Sequence, residues 1–340
     1  MIVPVFLPHL GCGDRCIYCD QMSITDLRTN NMEATVAAHL GSVRQPIEVG
    51  LFGGNIFGLK ADNLRRLFAF FEPHRDRIVG FRISTKPVPL GNEIIRILKE
   101  NGVRVIELGI PSFNDGILRV INRRHTAEDL RRSFLRLREE GFTMALQTMV
   151  GLPGETMTDI AETTEHLATL APDYVRIYPL AVLKGTPLET MYREGTFVPI
   201  PFEKAVERTL YIYLHLLKKG IKVVKMGLTD NEVISDRIIA GHFHPSFGYI
   251  VKSWAFRLAL VAKLRSLSVS GGPTKILLNH RDIPHLLGYK RKNMAEYGKE
   301  GFSIEWETRE ITQGTFVIEL EGRAVEGDVF DALSIAAVSS

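Results

Sequence analysis

"GCGDRCIYCDQ", residues 11–21, holds Cys12, Cys16 and Cys19, and these are all the cysteines of the 340-residue chain. Three thiols packed so closely are not a disulfide framework, which uses an even and dispersed set. A reducing, cytoplasmic setting suits them. Gly11, Gly13 and Asp14 mark an exposed loop rather than a core segment. Thiolates bind soft or borderline metals. A structural zinc would need a fourth ligand, for which His9, Asp14 and Asp20 are the nearby candidates. The other occupant is an iron–sulfur cube. Four cysteines usually hold one, so three leave one iron open to an exogenous ligand.

Outward from this loop, short apolar runs alternate with amphipathic stretches. The runs are "IVPVFLP" (2–8), "IEVGLFGG" (47–54), "VGFRISTKP" (79–87), "VRVIELGIP" (103–111), "FTMALQTMVGLP" (142–153) and "DYVRIYPLAV" (173–182). Each is brief, β-rich and apolar enough to be buried on both faces, as parallel strands are. Between them, "ADNLRRLFAFFEPHRD" carries Leu64, Leu67, Phe68 and Phe71 at helical spacing, and "TAEDLRRSFLRLREEG" opens on a Thr126 cap and closes at Gly141. Roughly six βα units across residues 1–200 predict an α/β fold, either an open barrel or a doubly wound sheet. Ligands then belong at the carboxyl ends of the strands, where the cysteine loop also falls.

After residue 200 the rhythm changes. Residues 201–272 read as a long helix, the strand "IKVVKMGL" and a loop with a further helix, an extension closing the barrel mouth. Residues 273–340 read as a small α+β unit, with strand "KILLNH", helix "DIPHLLGYKRKNMAEYGKEG" and two more strands. A formal net charge of +3 neither demands nor forbids a nucleic-acid partner. No apolar run reaches the roughly eighteen residues of a membrane span, so no membrane partner is expected.

The C-x3-C-x2-C spacing, with Tyr18 directly before the last cysteine, resembles the radical S-adenosylmethionine superfamily. "LFGGN" (51–55), "RISTKP", "IELGIPSFND", "INRRHTAEDL", "LQTMVGLPGET" and "RIYPLAVLKGTPLE" follow in that family's order. The series resembles the Elongator catalytic-subunit group and the oxygen-independent coproporphyrinogen oxidase group over residues 2–200. The resemblance implies a partial (β/α)6 TIM-like barrel and a [4Fe–4S] cluster on Cys12, Cys16 and Cys19. It implies S-adenosylmethionine on the open iron, cleaved by one electron to a 5′-deoxyadenosyl radical that abstracts hydrogen from a substrate. The electron would come from a donor such as flavodoxin or ferredoxin.

By the same resemblance, the backbone at Gly53 and Gly54 meets the methionyl amine, with Asn55 beside it. Ser84, Arg123 and Gln147 hold the ribose and the methionyl carboxylate, and Tyr18 and Ala181 flank the adenine. Two positions depart from the family pattern. Asn55 stands where an acidic residue, serine or threonine is usual. Pro111 stands where a glutamine is common, and offers neither a side-chain amide nor a backbone N–H.

Other residues keep two readings. Arg176 shares a strand face with Tyr178; in a barrel lumen it meets a substrate or pairs with a carboxylate such as Glu107. Lys184 and Lys225 are exposed lysines or partners of an anionic substrate. The tail faintly resembles a KH RNA-binding module with "GYKR" (288–291) in place of a G-x-x-G loop. The substrate is an RNA base, as in tRNA, or a small metabolite. A non-enzymatic zinc- or RNA-binding protein is the alternative.

Overall fold

The structure, a computed structural model, describes residues 1–20, 40, 45–228, 236–269, 272–320 and 322–336. They form two compact units, one of residues 1–200 with 221–243 and one of residues 201–220 with 244–340.

The first unit is a parallel sheet. Its strands are β1 (Ile2–Phe6), β2 (Ile47–Phe52), β3 (Ile78–Thr85), β4 (Val103–Gly109), β5 (Thr143–Val150), β6 (Tyr174–Pro179) and, after the short β7 (Ala181–Leu183), β8 (Lys222–Met226). The order is β1-β2-β3-β4-β5-β6-β8, with every neighbouring pair parallel. All six predicted runs are present, and "IKVVKMGL" adds β8 as a seventh strand. β7 pairs antiparallel with β9 (Ile238–Gly241).

Helices α1 (Ala61–Ala69), α2 (Asn92–Glu100), α3 (Asp115–Val120), α4 (Ala127–Glu139), α5 (Met157–Leu170) and α6 (Pro187–Arg193) connect the strands. Their apolar stripes are buried: Leu64, Leu67 and Phe68 on α1; Leu130, Phe134 and Leu137 on α4. Thr126 opens α4 and Thr156 opens α5 through reciprocal capping boxes with Asp129 and Asp159.

The sheet is curled. Adjacent strands lie about 4.8 Å apart, so β3 and β6 would stand about 14 Å apart in a flat sheet. Yet Arg82 on β3 donates to the Tyr174 hydroxyl on β6 at 2.8 Å, and the Arg176 guanidinium on β6 lies 6.0 Å from the Phe52 ring centre on β2. Inward side chains from distant strands therefore meet in one lumen, as in a half-barrel.

The second unit holds α7 (Phe202–Lys218), α8 (Phe247–Ser266) and a four-stranded sheet. That sheet has the order β11-β10-β12-β13, from β10 (Pro273–Leu278), β11 (Ser303–Thr308), β12 (Thr315–Leu320) and β13 (Arg323–Asp328). Phe256 of α8 packs on Phe316 of β12 at 5.5 Å. The helix expected over "DIPHLLGYKRKNMAEYGKEG" is two, α9 (Ile283–Leu287) and α10 (Lys292–Lys299). Gly288, Lys290 and Arg291 carry φ of 74°, 51° and 59° between them, which no right-handed helix accommodates. Residues 201–272, read from sequence as one extension, contribute to both units. No described helix is long and apolar enough to cross a membrane.

Candidate cofactor site

The cysteine loop leaves β1 and is held from both sides. Leu7 and His9 donate their N–H groups to the carbonyls of Phe52 and Gly53, and the Asn55 N–H donates to Leu10 O at 2.7 Å. The loop thus runs against the end of β2, backbone to backbone. A Cβ on Gly54 would lie 2.6 Å from Leu10 O and 2.9 Å from Leu7 O, so only glycine permits this approach. On the other side, Ile17 N–H donates to Ile121 O, Leu188 N–H to Ile17 O, and the Asn122 amide to Arg15 O. Lys86, beyond β3, donates its ammonium to Asp14 O at 2.9 Å.

The three cysteines line a cavity of about 540 Å³ at the carboxyl ends of the strands. Cys16 is buried and the other two are half-buried. Burial raises the Cys12 thiol above its ordinary pKa, and burial with the neighbouring Cys16 pushes Cys19 up to about 12. Such thiols ionise when a metal replaces the proton. Among the described residues no three His, Cys, Asp or Glu side chains come together as a single-ion site. One tetrahedral zinc would need its sulfurs within about 4 Å of each other, whereas a four-iron cube carries each sulfur on its own iron and spreads them wider. The zinc-loop alternative gains no support here.

Arg123 faces the same cavity. Its Nη2 donates to the Tyr18 hydroxyl at 3.1 Å. Its Nε and Nη1 are shielded from solvent and have no partner among the described residues. A buried guanidinium with idle donors suits an anion such as a carboxylate. Gly109 lies against it, with a Cβ there 3.4 Å from Nη2.

Gln147 is oriented from behind. Its amide nitrogen donates to Glu107 Oε2 at 2.7 Å and to Ser84 Oγ at 3.2 Å. A carboxylate accepts only, so the nitrogen must face Glu107 and the carbonyl oxygen is left for the cavity. Glu107 is fully buried and also accepts from Arg82 at 3.2 Å, Arg176 at 3.1 Å and the Tyr174 hydroxyl at 3.0 Å. Arg176 thus has the carboxylate partner that the strand alternation suggested, and it lines the cavity as well.

Of the residues singled out from sequence, Tyr18, Gly53, Gly54, Ser84, Arg123, Gln147 and Ala181 line this cavity with the three cysteines. Asn55 does not. Its Oδ1 accepts from Thr85 Oγ1 at 2.9 Å and Lys86 N at 3.1 Å, and its amide donates to Gly11 O at 3.3 Å. The side chain ties β2, β3 and the cysteine loop together. Pro111 lies on the wall, its carbonyl taken by Thr148 Oγ1 and Met149 N–H. Lys225 is also a lining residue, and Lys184 is not. Sequence reading passed over Phe6, Phe52 and Lys86; their position at strand ends was the available signal.

A parallel half-barrel with thiols at its carboxyl mouth is the frame of a cluster-bearing enzyme. The chain belongs to the radical S-adenosylmethionine superfamily: the superfamily's model matches residues 7–167, and the model of its C-terminal domain matches residues 172–255. Enzymes of this family use a [4Fe–4S] cluster and S-adenosylmethionine. The chain is 29% identical over 209 residues to the heme chaperone HemW of Bacillus subtilis, covering 58% of this chain and 55% of that one. It is 25% identical over 241 residues to the tRNA uridine(34) acetyltransferase of Dehalococcoides mccartyi, covering 58% and 52%. It therefore spans about half the length of these curated relatives. The solved structure of the archaeal Elp3 of Methanocaldococcus infernus shares its fold with a TM-score of 0.56 at 18% identity, over 93% of this chain and 72% of that one.

Proposed function

We propose that Cys12, Cys16 and Cys19 hold a [4Fe–4S] cluster with one open iron, and that the chain positions S-adenosylmethionine on it for reductive cleavage. Held there, the cluster would supply the electron for cleaving the sulfonium, the chemistry that makes a 5′-deoxyadenosyl radical for hydrogen abstraction. Arg123 offers its buried positive charge and an unpartnered N–H to the methionyl carboxylate. The Gln147 carbonyl oxygen and the Ser84 hydroxyl receive the ribose hydroxyls. Gly53 and Gly54 leave the backbone open to the methionyl amine, and Tyr18 and Ala181 border the adenine.

The observation that carries this reading is that Arg123, a buried guanidinium with two unpartnered nitrogens, lines the same cavity as the three thiols. A flavodoxin or ferredoxin is the class of electron donor. An RNA base, as the name of the tRNA-acting relative suggests, and a small metabolite are the two substrate classes. Exposed Lys290, Arg291 and Lys292 support the first.

The test is anaerobic reconstitution. The wild type should bind about four irons per chain and release 5′-deoxyadenosine with dithionite and S-adenosylmethionine. Cys16→Ala should bind less iron and release none; 5′-deoxyadenosine from that variant would reject the ligand assignment.

A further inference from the structure

A cube held by three thiolates is anionic, and more so after it takes an electron, so the cations facing it belong to its chemistry. Most cations that line the cavity are engaged elsewhere. Arg176 pairs with Glu107 at 3.1 Å. Arg123 bonds Tyr18 and is assigned to the methionyl carboxylate. Arg15 is exposed, where salt and water screen it. Lys225 has a contact of its own and sits on β8, the opposite edge of the sheet from β1, which the cysteine loop leaves.

Lys86 differs. Its ammonium donates to the Asp14 carbonyl at 2.9 Å, inside the cysteine loop. The carboxylate of Asp14 is turned to Arg124 at 2.9 Å, and among the described residues none pairs with Lys86. A lysine on a free stem turns its ammonium to water. This one bonds a backbone oxygen that brings no countercharge.

Both ends of the side chain are fixed. Lys86 directly follows β3, and its N–H donates to Asn55 Oδ1 at 3.1 Å, which Thr85 Oγ1 also meets at 2.9 Å. Asn55 in turn donates its amide to Gly11 O at 3.3 Å. Pro87 follows, its φ set by its ring. The root of Lys86 is thus tied to residue 11 and its tip to residue 14, and Cys12 lies between the two. Burial raises the Cys12 thiol, and among the charges opposing this Lys86 comes ahead of Arg123 and Arg15.

A fixed cation beside a redox centre favours the state that carries the extra electron, and a shielded site strengthens the effect. We propose that Lys86 is a tuning residue whose fixed charge raises the reduction potential of the cluster on Cys12, Cys16 and Cys19. One electron leaves a flavodoxin- or ferredoxin-class donor for the cube; the donor is oxidised, no bond is made or broken, and no proton need follow. The inference rests on the cluster reading and adds to it what this chain contributes to the electron's arrival.

The test is a redox titration of the reconstituted full chain without S-adenosylmethionine, read from the paramagnetic signal of the reduced cluster. Lys86→Met should shift the equilibrium about tenfold toward the oxidised cluster, a fall of about 59 mV for one electron. Lys86→Gln, whose amide still offers a donor to a carbonyl, should fall similarly, and Lys86→Arg should keep the wild-type potential. Iron content reports the integrity of the loop separately. Wild-type potential in both neutral variants overturns the tuning role. So does a fall that Lys86→Gln restores, since a hydrogen bond alone then suffices, and so does an equal fall in Lys86→Arg, which marks disturbed geometry rather than lost charge. Loss of the cluster from both neutral variants makes Lys86 a brace and overturns the role as well. A wild type that assembles no cluster rejects the cluster reading and this inference with it, whereas failure in the variants alone rejects only the inference.

Discussion

Tyr18 holds Arg123 by one nitrogen and leaves two donors idle. Arg123→Met should therefore leave iron content and the cluster's visible absorption unchanged. It should weaken S-adenosylmethionine binding about ten- to a hundredfold, as equilibrium dialysis would read, because hydrogen bonds to charged groups contribute about 1.5–3 kcal/mol. Glu107 calls for the opposite pattern. Glu107→Gln leaves two guanidiniums short of a partner at a buried site, and should cost about 3 kcal/mol in urea denaturation. His125 gives a pH signature. Burial first, then the charges of Arg123 and Lys86, lower its pKa to about 4 against the opposing Asp129 and Asp115. The unfolded chain takes up that proton near pH 6.5, so the folded state is favoured fully above that value and loses stability as pH falls from about 6.5 toward 4. Urea midpoints across this window should fall less steeply in His125→Asn. The three thiols stood out by spacing and residue type, while Arg123 was reached only through the family resemblance. The bracing by Asn55 was legible from neither, because whether an amide meets a ligand or braces three chain segments depends on what folds beside it.

At the scale of elements, periodicity and caps placed the six runs of strand and the helices α1, α2, α4 and α5, but not the short α3 and α6. Thr156→Ala removes the hydroxyl that accepts the Asp159 N–H, and should cost about 1 kcal/mol in chemical denaturation with no effect on ligand binding. Gly54→Ala acts differently, because the added methyl meets backbone at 2.6 Å rather than a flexible side chain. It must displace the cysteine loop, and the expected outcome is a folded chain with reduced iron content after reconstitution; full iron loading would show that the loop yields without loss. The bulge in β8 left a trace in the sequence, since the alternation of "IKVVKMGL" breaks at Val223–Val224 where the register shifts. The break after Gly288 did not, because "GYKR" has only one glycine for its three residues of positive φ, and packing decides there what local preference leaves open.

At the scale of the molecule, the path of the chain matters more than its length. It passes between the two units at residues 200–201, 220–221 and 243–244, so α7 and α8 belong with the C-terminal sheet. A cut after residue 272 removes Phe316, on which Phe256 packs, and Asn293, which donates to Ser253 O. Fragment 1–272 should therefore bind a hydrophobic dye and lose part of its cooperative melt; a fragment that melts like the full chain would show that the second unit does not need its sheet. Val224 has a consequence of another kind. A single codon gained or lost in that edge strand exchanges inside for outside at every later position of the strand, so an in-frame indel alone re-aims Lys225, with no residue replaced.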